Sequence, residues 1–548
     1  MRARLIGDVT IGLAQLIRAV PFWRVRVASA MRHYGLTVGA LAAISAAKDP
    51  AGTALVDDAG PLSYAELDRQ ADDLAAALAG RLPSGEATLG VLCRNGRSFV
   101  LAVIAGARLG AEVILLNTEF SPSELAAVIR DERVQLVLRD GDDLAALPAD
   151  VSAFDLEAHL SASLTERGAA GPTAHAAAKP NPHRRSWRPS PEGRSRRRGL
   201  RDGWGRSTRR GRLVVLTSGT TGPAKGAHRG KVRLAQAIPI TTLVRRIPLR
   251  AGGPMILTPP LFHGFGLGFL ALGLAFGLPV VLSRRLDAVR VNEWLATHRG
   301  CLLVGVPPVL ARIERAGGAT GAGGHVAAVV SGAGLLHPSV AARLTASYGR
   351  VLYNLYGSSE EGWSTLATPA DLAAAPGTIG RPAAGVKVSV LDDDGHPVGP
   401  GRVGHLCVGS RLEFSHYTGG GRRRRLGGLS DSGDLGHRDD DGRFFIDGRA
   451  DDMVVTGGEN VFTTEIEDVL LSHPAVAEAR VDGLPDKEFG IRLEAYVVPA
   501  GSAPTADLER ELTTFAQARL ARFKVPRRIR TVDCLPLTAT GKHSRGVT

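Results

Sequence analysis

The chain has 548 residues, a hydrophobic fraction of 44% and a formal net charge of +13. This length exceeds what one hydrophobic core organises, so we expect two or more domains. The positive charge is concentrated in two tracts: twelve arginines and two acids lie between His183 and Arg212, and four more arginines occupy Arg422–Arg425. The rest of the chain has a net charge close to zero, which argues against an extended basic surface for nucleic-acid binding. The four cysteines form no CxxC pair, so we expect neither a zinc knuckle nor a disulfide framework, and a reducing cytoplasm suits them.

The N-terminal segment, residues 1–35, is basic and amphipathic. Its apolar stretch contains Asp8, is too short to span a bilayer and lacks the cleavage signature of a secretory signal. Basic residues and Trp23 would suit the inner surface of a membrane, and a helix packed on the domain is the alternative. We therefore expect a cytoplasmic protein, with peripheral membrane contact left open.

Strands and helices alternate in the first part of the chain. Short runs at 54–58, 89–92, 113–116 and 134–138 predict strands, and Ser63 with Glu66 forms a capping box for a helix. The alternation predicts an α/β fold with a largely parallel, doubly wound sheet. A β-rich section follows residue 377, and a small α+β unit, with a turn predicted at 483–486, ends the chain.

A predicted strand, Leu213–Thr217, runs directly into a loop of Ser, Thr and Gly that ends at Lys225. Glycines let backbone N–H groups turn inward, hydroxyls add donors, and the lysine adds a positive charge, so the loop predicts a polyphosphate site. The loop is not a Walker A sequence, because Pro223 and Ala224 separate Gly222 from Lys225. A flexible surface loop is the alternative reading.

Two further strand ends carry residues that could bind a nucleotide or take part in catalysis. Tyr356 could stack on a purine, Ser359 could donate to a phosphate, and Glu360 could hold Mg²⁺. His263 follows another strand among aromatics and glycines. The alternatives are a solvated surface acid at Glu360 and a packed histidine at His263.

Five motifs in a fixed order carry a resemblance to the adenylate-forming superfamily, and within it to fatty acyl-CoA synthetases. They are TSGTTGPAKG at 217–226, YGSSE at 356–360, GDLG at 433–436, GRADD at 448–452 and TATGK at 538–542. The resemblance implies an AMP-binding adenylation domain over 36–447 and a mobile C-terminal domain over 448–548. It also implies ATP-dependent conversion of a fatty acid through acyl-AMP to acyl-CoA, with Mg²⁺ and with coenzyme A as co-substrate.

The resemblance assigns expected roles to individual residues. Phosphate binding falls to Thr217, Ser218, Gly219, Thr220, Thr221, Lys225 and Ser359, and adenine and ribose binding to Gly332, Ala333, Gly334, Tyr356, Asp434 and Arg449. The catalytic residues are Lys542, His263 and Glu360, with Glu360 also the metal ligand. Asp451 is the hinge, Gly457, Gly458 and Glu459 contact CoA, and the acyl pocket contains Phe262, Phe265 and Gly266. Gly264, Gly266 and Gly268 would leave room for a long apolar chain.

Two tracts, 167–212 and 419–428, depart from the family pattern. Arg, Gly, Pro and Ser dominate the first, which cannot bury a core and is expected to be a disordered linker. A shifted reading frame and a true basic insertion are the competing origins. Three alternatives to the CoA synthetase reading remain: a ligase that loads a carrier protein, an impaired protein of the same fold, and a nucleic-acid binder acting through the two tracts.

Overall fold

The computed structural model describes residues 34, 37–82, 87–141, 147–169, 212–217, 225–228, 238–318, 326–414, 416–418, 423–450, 453–456, 459–486, 490–501 and 505–538. Apart from Tyr34, the predicted amphipathic segment at 1–35 therefore lies outside the described residues. Residues 170–211 of the first arginine-rich tract lie outside them as well. Across the described ranges, no helix is long and apolar enough to cross a bilayer.

The first part of the chain, up to residue 169, contains five helices and six strands in its described ranges. The helices are α1 Val38–Lys48, α2 Tyr64–Ala79, α3 Arg97–Leu109, α4 Pro122–Asp131 and α5 Leu156–Ala169. The strands are β1 Thr53–Asp57, β2 Gly60–Ser63, β3 Thr88–Leu92, β4 Glu112–Leu115, β5 Leu136–Arg139 and β6 Ser152–Asp155. The predicted capping box of Ser63 and Glu66 is confirmed at the start of α2.

The middle of the chain, over the described part of 212–382, supplies the second set of elements. The strands are β7 Arg212–Thr217, β8 Lys225–His228, β9 Met255–Leu257, β10 Val280–Val281, β11 Cys301–Gly305, β12 Val326–Gly332, β13 Leu352–Ser358, β14 Gly362–Ala367 and β15 Arg381–Pro382. The helices are α6 Ile238–Arg246, α7 Gly264–Phe276, α8 Ala288–Thr297, α9 Pro307–Ile313, α10 Pro338–Tyr348 and α11 Pro369–Ala374.

The last part of the chain is richer in strands. They are β16 Lys387–Leu391, β17 Gly404–Gly409, β18 His416–Tyr417, β19 Arg425–Leu426, β20 Leu429–Arg438, β21 Phe444–Arg449, β22 Met453–Thr456, β23 Glu459–Phe462, β24 Val476–Asp486, β25 Gly490–Pro499 and β26 Arg528–Thr531. Two further α-helices are α12 Thr463–Leu471 and α13 Thr505–Gln517.

Two large sheets confirm the predicted α/β architecture. In the described residues one has the order β18-β8-β7-β4-β3-β5-β6 and the other β15-β14-β13-β12-β11-β9-β10-β1-β2. The central strands of both are parallel, with antiparallel strands added at the edges. One hydrophobic core contains side chains from both sheets and from α2, α3 and α7. Strands buried on both faces explain the continuous Val, Ile and Leu runs in the sequence.

The β-rich section forms an antiparallel sheet of β16, β17, β20 and β19, with β21 also paired to β20. The small α+β unit contains β24, β25 and β26 with α12 and α13. The turn predicted at 483–486 is wrong, because these residues continue β24 and pair with Gly490–Leu493. Gly483 packs closely against Val454, so a neighbouring hairpin supports the extended strand.

Candidate active site

The polyphosphate loop begins and ends on paired strands. Thr217, the last residue of β7, is the antiparallel partner of Lys225, the first residue of β8. Because β7 also pairs in parallel with β4, the start of the loop is held from both sides. Ser218, Gly219, Thr220 and Thr221 lie outside the described residues, as does the Lys225 side chain.

Gly226 fixes the far end of this loop. Its backbone N–H donates to the Glu132 side chain at 3.1 Å, and its carbonyl accepts from the Thr418 N–H at 3.0 Å. A Cβ atom at Gly226 would lie 2.5 Å from the same carboxylate oxygen of Glu132, so a side chain does not fit without movement there. The glycine that closes the sequence motif is therefore required by packing.

Two consecutive carboxylates occupy the turn between β13 and β14. Glu360 and Glu361 are both buried, and the Glu361 side chain is only 2% exposed. Glu361 accepts hydrogen bonds from the hydroxyls of Ser358 and Ser430. Burial raises the pKa of Glu361 above its ordinary value, although the charge of Arg423 opposes the rise. The turn thus keeps two acids out of bulk water beside one guanidinium.

Tyr356, Asp434 and Arg449 are brought together, as the resemblance implied for adenine and ribose contacts. The Tyr356 hydroxyl donates to Asp434 Oδ2 at 2.6 Å, and Arg449 Nη1 donates to Asp434 Oδ1 at 3.2 Å. Asp434 and Arg449 are direct partners in the β20–β21 ladder. Burial, reinforced by the negative charge of Asp434, raises the pKa of Tyr356 well above its ordinary value. Tyr356 therefore stays a neutral hydrogen-bond donor at physiological pH.

The predicted adenine segment, Gly332 to Gly334, follows directly on β12. Gly332 is the ladder partner of Leu355, which places it beside the strand that carries Tyr356. Ala333 has a φ of 58°, a left-handed conformation that few non-glycine residues adopt. The segment therefore turns away from β12 beside the strand that carries Tyr356, and its adenine-binding role stays a prediction.

The predicted acyl pocket is an aromatic cluster at the start of α7. Phe265 and Phe269 meet edge to face with ring centroids 5.4 Å apart, and Phe269 lies 6.2 Å from Trp363. Phe262 is buried and lies 4.9 Å from the His263 ring. The cluster is apolar and connects α7 to β14.

The glycines of α7 do not all leave space for an acyl chain. A Cβ at Gly266 would lie 2.5 Å from the Pro260 carbonyl oxygen, and one at Gly268 would lie 2.5 Å from the Trp363 indole. The prediction that Gly266 and Gly268 leave space for an acyl chain is therefore wrong, because the Pro260 carbonyl and the Trp363 indole already fill that space. The surroundings of Gly264 are open. The glycines at 266 and 268 permit close packing, and the Trp363 indole fills the space beside Gly268.

His263 precedes the first residue of α7 and is held by the turn before it. Its backbone N–H donates to the Pro260 carbonyl at 3.2 Å. Asn95 secures the same turn, since it donates to the Pro259 carbonyl at 3.0 Å and accepts from the Leu261 N–H at 2.8 Å. Asn95 therefore links the start of α3 to the turn that positions His263.

The C-terminal unit is docked on α9 through a buried carboxylate. Glu478 is 6% exposed and accepts hydrogen bonds from Arg312 at 2.8 and 3.0 Å and from Arg315 at 2.8 Å. Nearby, the Ser339 hydroxyl donates to Asp468 at 2.9 Å. Charge-assisted contacts of this kind are the strong ones among protein hydrogen bonds.

Several predicted residues of the C-terminal part lie outside the described residues. These are Lys542, the hinge residue Asp451, and Gly457 and Gly458 of the expected CoA contact. The backbone of Glu459 is described and pairs with Thr456 across the β22–β23 hairpin. The roles of these residues stay predictions.

The donor set around Glu360 fits a phosphate-borne Mg²⁺ ion. Mg²⁺ in nucleotide sites normally takes one or two carboxylate oxygens, with phosphates and water completing its shell. Glu360 provides such a carboxylate, and the hydroxyl-bearing Ser359 precedes it. Arg423 Nη2 lies 3.5 Å from Glu360 Oε1, so the acid already has one cationic neighbour. Nothing described there is a soft ligand that would favour another metal class.

Sequence reasoning missed several residues that build this site. Glu361 and Trp363 adjoin the YGSSE motif, and their nearness to Glu360 was the available signal. Glu478 and Asn95 had no local signal, because each acts on a segment more than 160 residues away. Arg423 lies in a tract that departs from the family pattern, so nothing in the sequence marked it.

Two characterised proteins resemble this chain over nearly its whole length. Sulfoacetate–CoA ligase from Cupriavidus necator is 29% identical over 525 residues, covering 93% of this chain and 96% of the relative. A fatty acid–[acyl-carrier-protein] ligase from Streptomyces coeruleorubidus is 27% identical over 512 residues, covering 91% and 93%.

Solved structures show the same fold. MatB from Rhodopseudomonas palustris bound to ATP has a TM-score of 0.71 and 25% identity, covering 93% of this chain and 97% of its own. O-succinylbenzoate coenzyme A synthetase from Bacillus subtilis, in complex with ATP and magnesium ion, has a TM-score of 0.69 and 23% identity, covering 92% and 98%.

Two family models match the chain in the order expected from its motifs. The AMP-binding enzyme model matches residues 42–418, and the AMP-binding enzyme C-terminal domain model matches residues 465–542. The first match alone spans more than half of the chain and includes the loop at 217–226, the aromatic cluster and the Glu360 turn. The chain therefore belongs to the AMP-binding, adenylate-forming enzyme family.

Proposed function

We propose that the protein activates a fatty acid with ATP to form acyl-AMP and then transfers the acyl group to coenzyme A. The observation that carries this proposal is the contact between Phe265 and Gly332: a Cβ on Gly332 would lie 2.7 Å from the Phe265 ring. Gly332 also pairs with Leu355, the residue before Tyr356. This contact joins the aromatic cluster to the strand proposed to bind the nucleotide, so an acid bound against the cluster would present its carboxylate to ATP.

The first half-reaction overcomes the poor leaving group of a carboxylate. A carboxylate oxygen attacks the α-phosphorus of ATP, the new O–P bond forms, and the bond to pyrophosphate breaks with pyrophosphate leaving. Lys225 and the hydroxyls of Thr217, Ser218, Thr220 and Thr221 offset phosphate charge, and Lys542 bridges the carboxylate and the phosphate. Glu360 would hold Mg²⁺, which would supply additional positive charge at the polyphosphate.

The second half-reaction requires the small domain to move. In the proposed cycle it turns about Asp451, withdraws Lys542 and presents Gly457, Gly458 and Glu459 to coenzyme A. The thiol attacks the acyl carbonyl, a C–S bond forms, the C–O bond to AMP breaks, and the thiol proton is released. The products are acyl-CoA and AMP.

A carrier-protein acceptor is the second candidate, favoured by the relative from Streptomyces coeruleorubidus named as a fatty acid–[acyl-carrier-protein] ligase. Its terminal thiol belongs to a phosphopantetheine arm, so the same chemistry would apply. The acceptor is identified by supplying either CoA or a holo-carrier protein with the same acid. If a thioester formed with the carrier protein and not with CoA, the carrier protein would replace CoA as the proposed acceptor.

A panel of fatty acids tests the proposed function. Purified protein is incubated with Mg·ATP, CoA and one acid at a time, and AMP, pyrophosphate and acyl-CoA are quantified by mass spectrometry. Equal amounts of the three products with at least one fatty acid are expected. Pyrophosphate release with no acid of the panel, from folded protein, would indicate an impaired member of the family and contradict the proposal.

Replacing Trp363 with alanine is expected to extend the range of acids toward longer chains. The indole fills the space beside Gly268, and removing it would let further methylenes become buried. Each extra buried methylene contributes about 0.8 kcal/mol, or roughly a fourfold gain in kcat/KM for the longer acid. The measurement is kcat/KM across a chain-length series. Trp294→Ala is the control, because Trp294 lies in α8 and stacks on His298, just after that helix. An unchanged chain-length optimum would contradict the role of Trp363.

A further inference from the structure

The second arginine-rich tract contributes one arginine to the interior of the candidate site. Arg423 Nη1 donates to the carbonyl of Ser432 at 2.7 Å, to that of Asp431 at 3.1 Å and to Glu361 Oε1 at 3.2 Å. Its side chain is 20% exposed. A guanidinium with fixed partners in several directions is a structural feature of the site, since surface arginines seldom keep one geometry.

The hairpin that carries Arg423 is ordinary folded structure over its described residues. Arg425 and Leu426 pair with Ser430 and Leu429, respectively. Leu426 is buried in a small cluster with Leu391 and Leu429. The described part of the tract, residues 423–428, therefore leads into and includes β19 of the β-rich sheet.

Glu361, the residue after Glu360, is held by its side-chain partners. The Glu361 carboxylate is held by Arg423 and by the hydroxyls of Ser358 and Ser430. Because Glu361 directly follows Glu360, fixing its side chain restricts the peptide that aims Glu360. The Phe414 N–H donates to the Glu360 carbonyl at 2.7 Å and restrains the same peptide from the other side.

Arg423 also contacts Glu360 directly, since its Nη2 lies 3.5 Å from Glu360 Oε1. Its positive charge reduces the repulsion between the two consecutive carboxylates.

We propose that Arg423 is a positioning residue for Mg·ATP: it anchors Glu361 and thereby aims the Glu360 carboxylate at the cation on the polyphosphate. This inference rests on the proposed function, because it presumes that the site binds Mg·ATP. It assigns a role in the site to a tract that departs from the family pattern.

The same hairpin offers a matched control. Arg425 is 52% exposed, and its partners are Glu413 at 2.9 Å and the Gly428 carbonyl at 2.7 Å. Loss of its charge changes the tract's net charge by the same amount as loss of Arg423. A general effect of basicity would therefore appear in both variants, whereas positioning of Glu360 involves only Arg423.

The test measures binding as well as turnover. Isothermal titration calorimetry with Mg²⁺ and a non-hydrolysable ATP analogue is applied to the wild type, Arg423→Ala, Arg423→Lys and Arg425→Ala, followed by kcat and KM for Mg·ATP. Arg423→Ala is expected to bind about tenfold more weakly, as for loss of a charge-assisted contact. KM should rise more than kcat falls, lysine should restore part of the affinity, and Arg425→Ala should match the wild type.

Glu361→Gln provides a second route if Arg423→Ala fails to fold. It removes the charge through which Arg423 acts and should weaken Mg·ATP binding in the same direction. Wild-type affinity in Arg423→Ala or in Glu361→Gln, or equal loss in Arg423→Ala and Arg425→Ala, would overturn the inference. Failure of the wild type itself to bind the Mg²⁺ analogue complex would instead overturn the proposed function.

Discussion

Replacing Lys542 with alanine is expected to slow adenylate formation by roughly a hundredfold to a thousandfold. The proposed first half-reaction loses the ammonium group that bridges the carboxylate and the α-phosphate, and loss of one such stabilising donor has effects of this size. Thioester formation from preformed acyl-AMP should keep its wild-type rate, because the small domain has by then withdrawn Lys542. The two steps are measured separately, by acid-dependent pyrophosphate exchange and by acyl-CoA formation from synthetic acyl-AMP.

Lys524→Ala is the matched control for this experiment. Lys524 belongs to the same C-terminal unit, and its Nζ lies 2.6 Å from Glu465 Oε2 of that unit. Its loss removes the same charge without touching the proposed site, so both half-reactions should proceed as in the wild type. If Lys542→Ala slowed both half-reactions equally, the proposal that Lys542 acts only in adenylate formation would be contradicted.

Replacing Glu478 with alanine is expected to release the C-terminal unit from α9 at a cost of about 3 to 5 kcal/mol. The carboxylate is buried and accepts hydrogen bonds from Arg312 and Arg315, so its removal leaves two guanidinium groups without their common acceptor. Because α9 belongs to the large domain, this loss of free energy weakens the docking of the C-terminal unit on that domain. Calorimetric unfolding should separate into two transitions, and limited proteolysis should accelerate between Arg449 and Met453.

An exposed pair of the same unit separates docking from general destabilisation. Glu465 pairs with Lys524, and its side chain is 47% exposed. Exposed pairs contribute about 0 to 1 kcal/mol, so Glu465→Ala should leave both the unfolding profile and the cleavage rate near those of the wild type. A Glu478→Ala protein that still unfolds in one transition, with wild-type protease resistance, would show that this contact does not control docking.

The elements that the sequence predicted best are those fixed by local chemistry. The capping box of Ser63 and Glu66 depends on two residues only three positions apart. The buried parallel strands can be recognised in the sequence as runs of apolar residues. The loop between Thr217 and Lys225 was identified by its order of residues, and the strand pairing at its two ends is consistent with a cradle. The superfamily resemblance, carried by five motifs, is confirmed by the family models.

The features that escaped prediction depend on distant partners. Trp363 fills the space beside Gly268, almost a hundred residues earlier in the chain, so small residues alone could not reveal the size of the pocket. Arg423 contacts Glu361, 62 residues away, and Glu478 contacts Arg312, 166 residues away. In the sequence, nothing distinguishes Arg423 from the other arginines of its basic tract. Its contacts with Glu361, and hence its proposed role, depend on its place just before β19.

The central claim is that the acid is activated by direct attack of its carboxylate on the α-phosphorus of ATP. The most direct test uses a fatty acid whose carboxylate carries a heavy oxygen isotope, with CoA and Mg·ATP, followed by mass spectrometry of the products. Acyl-AMP formation predicts that the AMP released on thioester formation contains one labelled oxygen from the acid, while pyrophosphate contains none. Unlabelled AMP, or label in ADP or inorganic phosphate, would contradict the proposed chemistry.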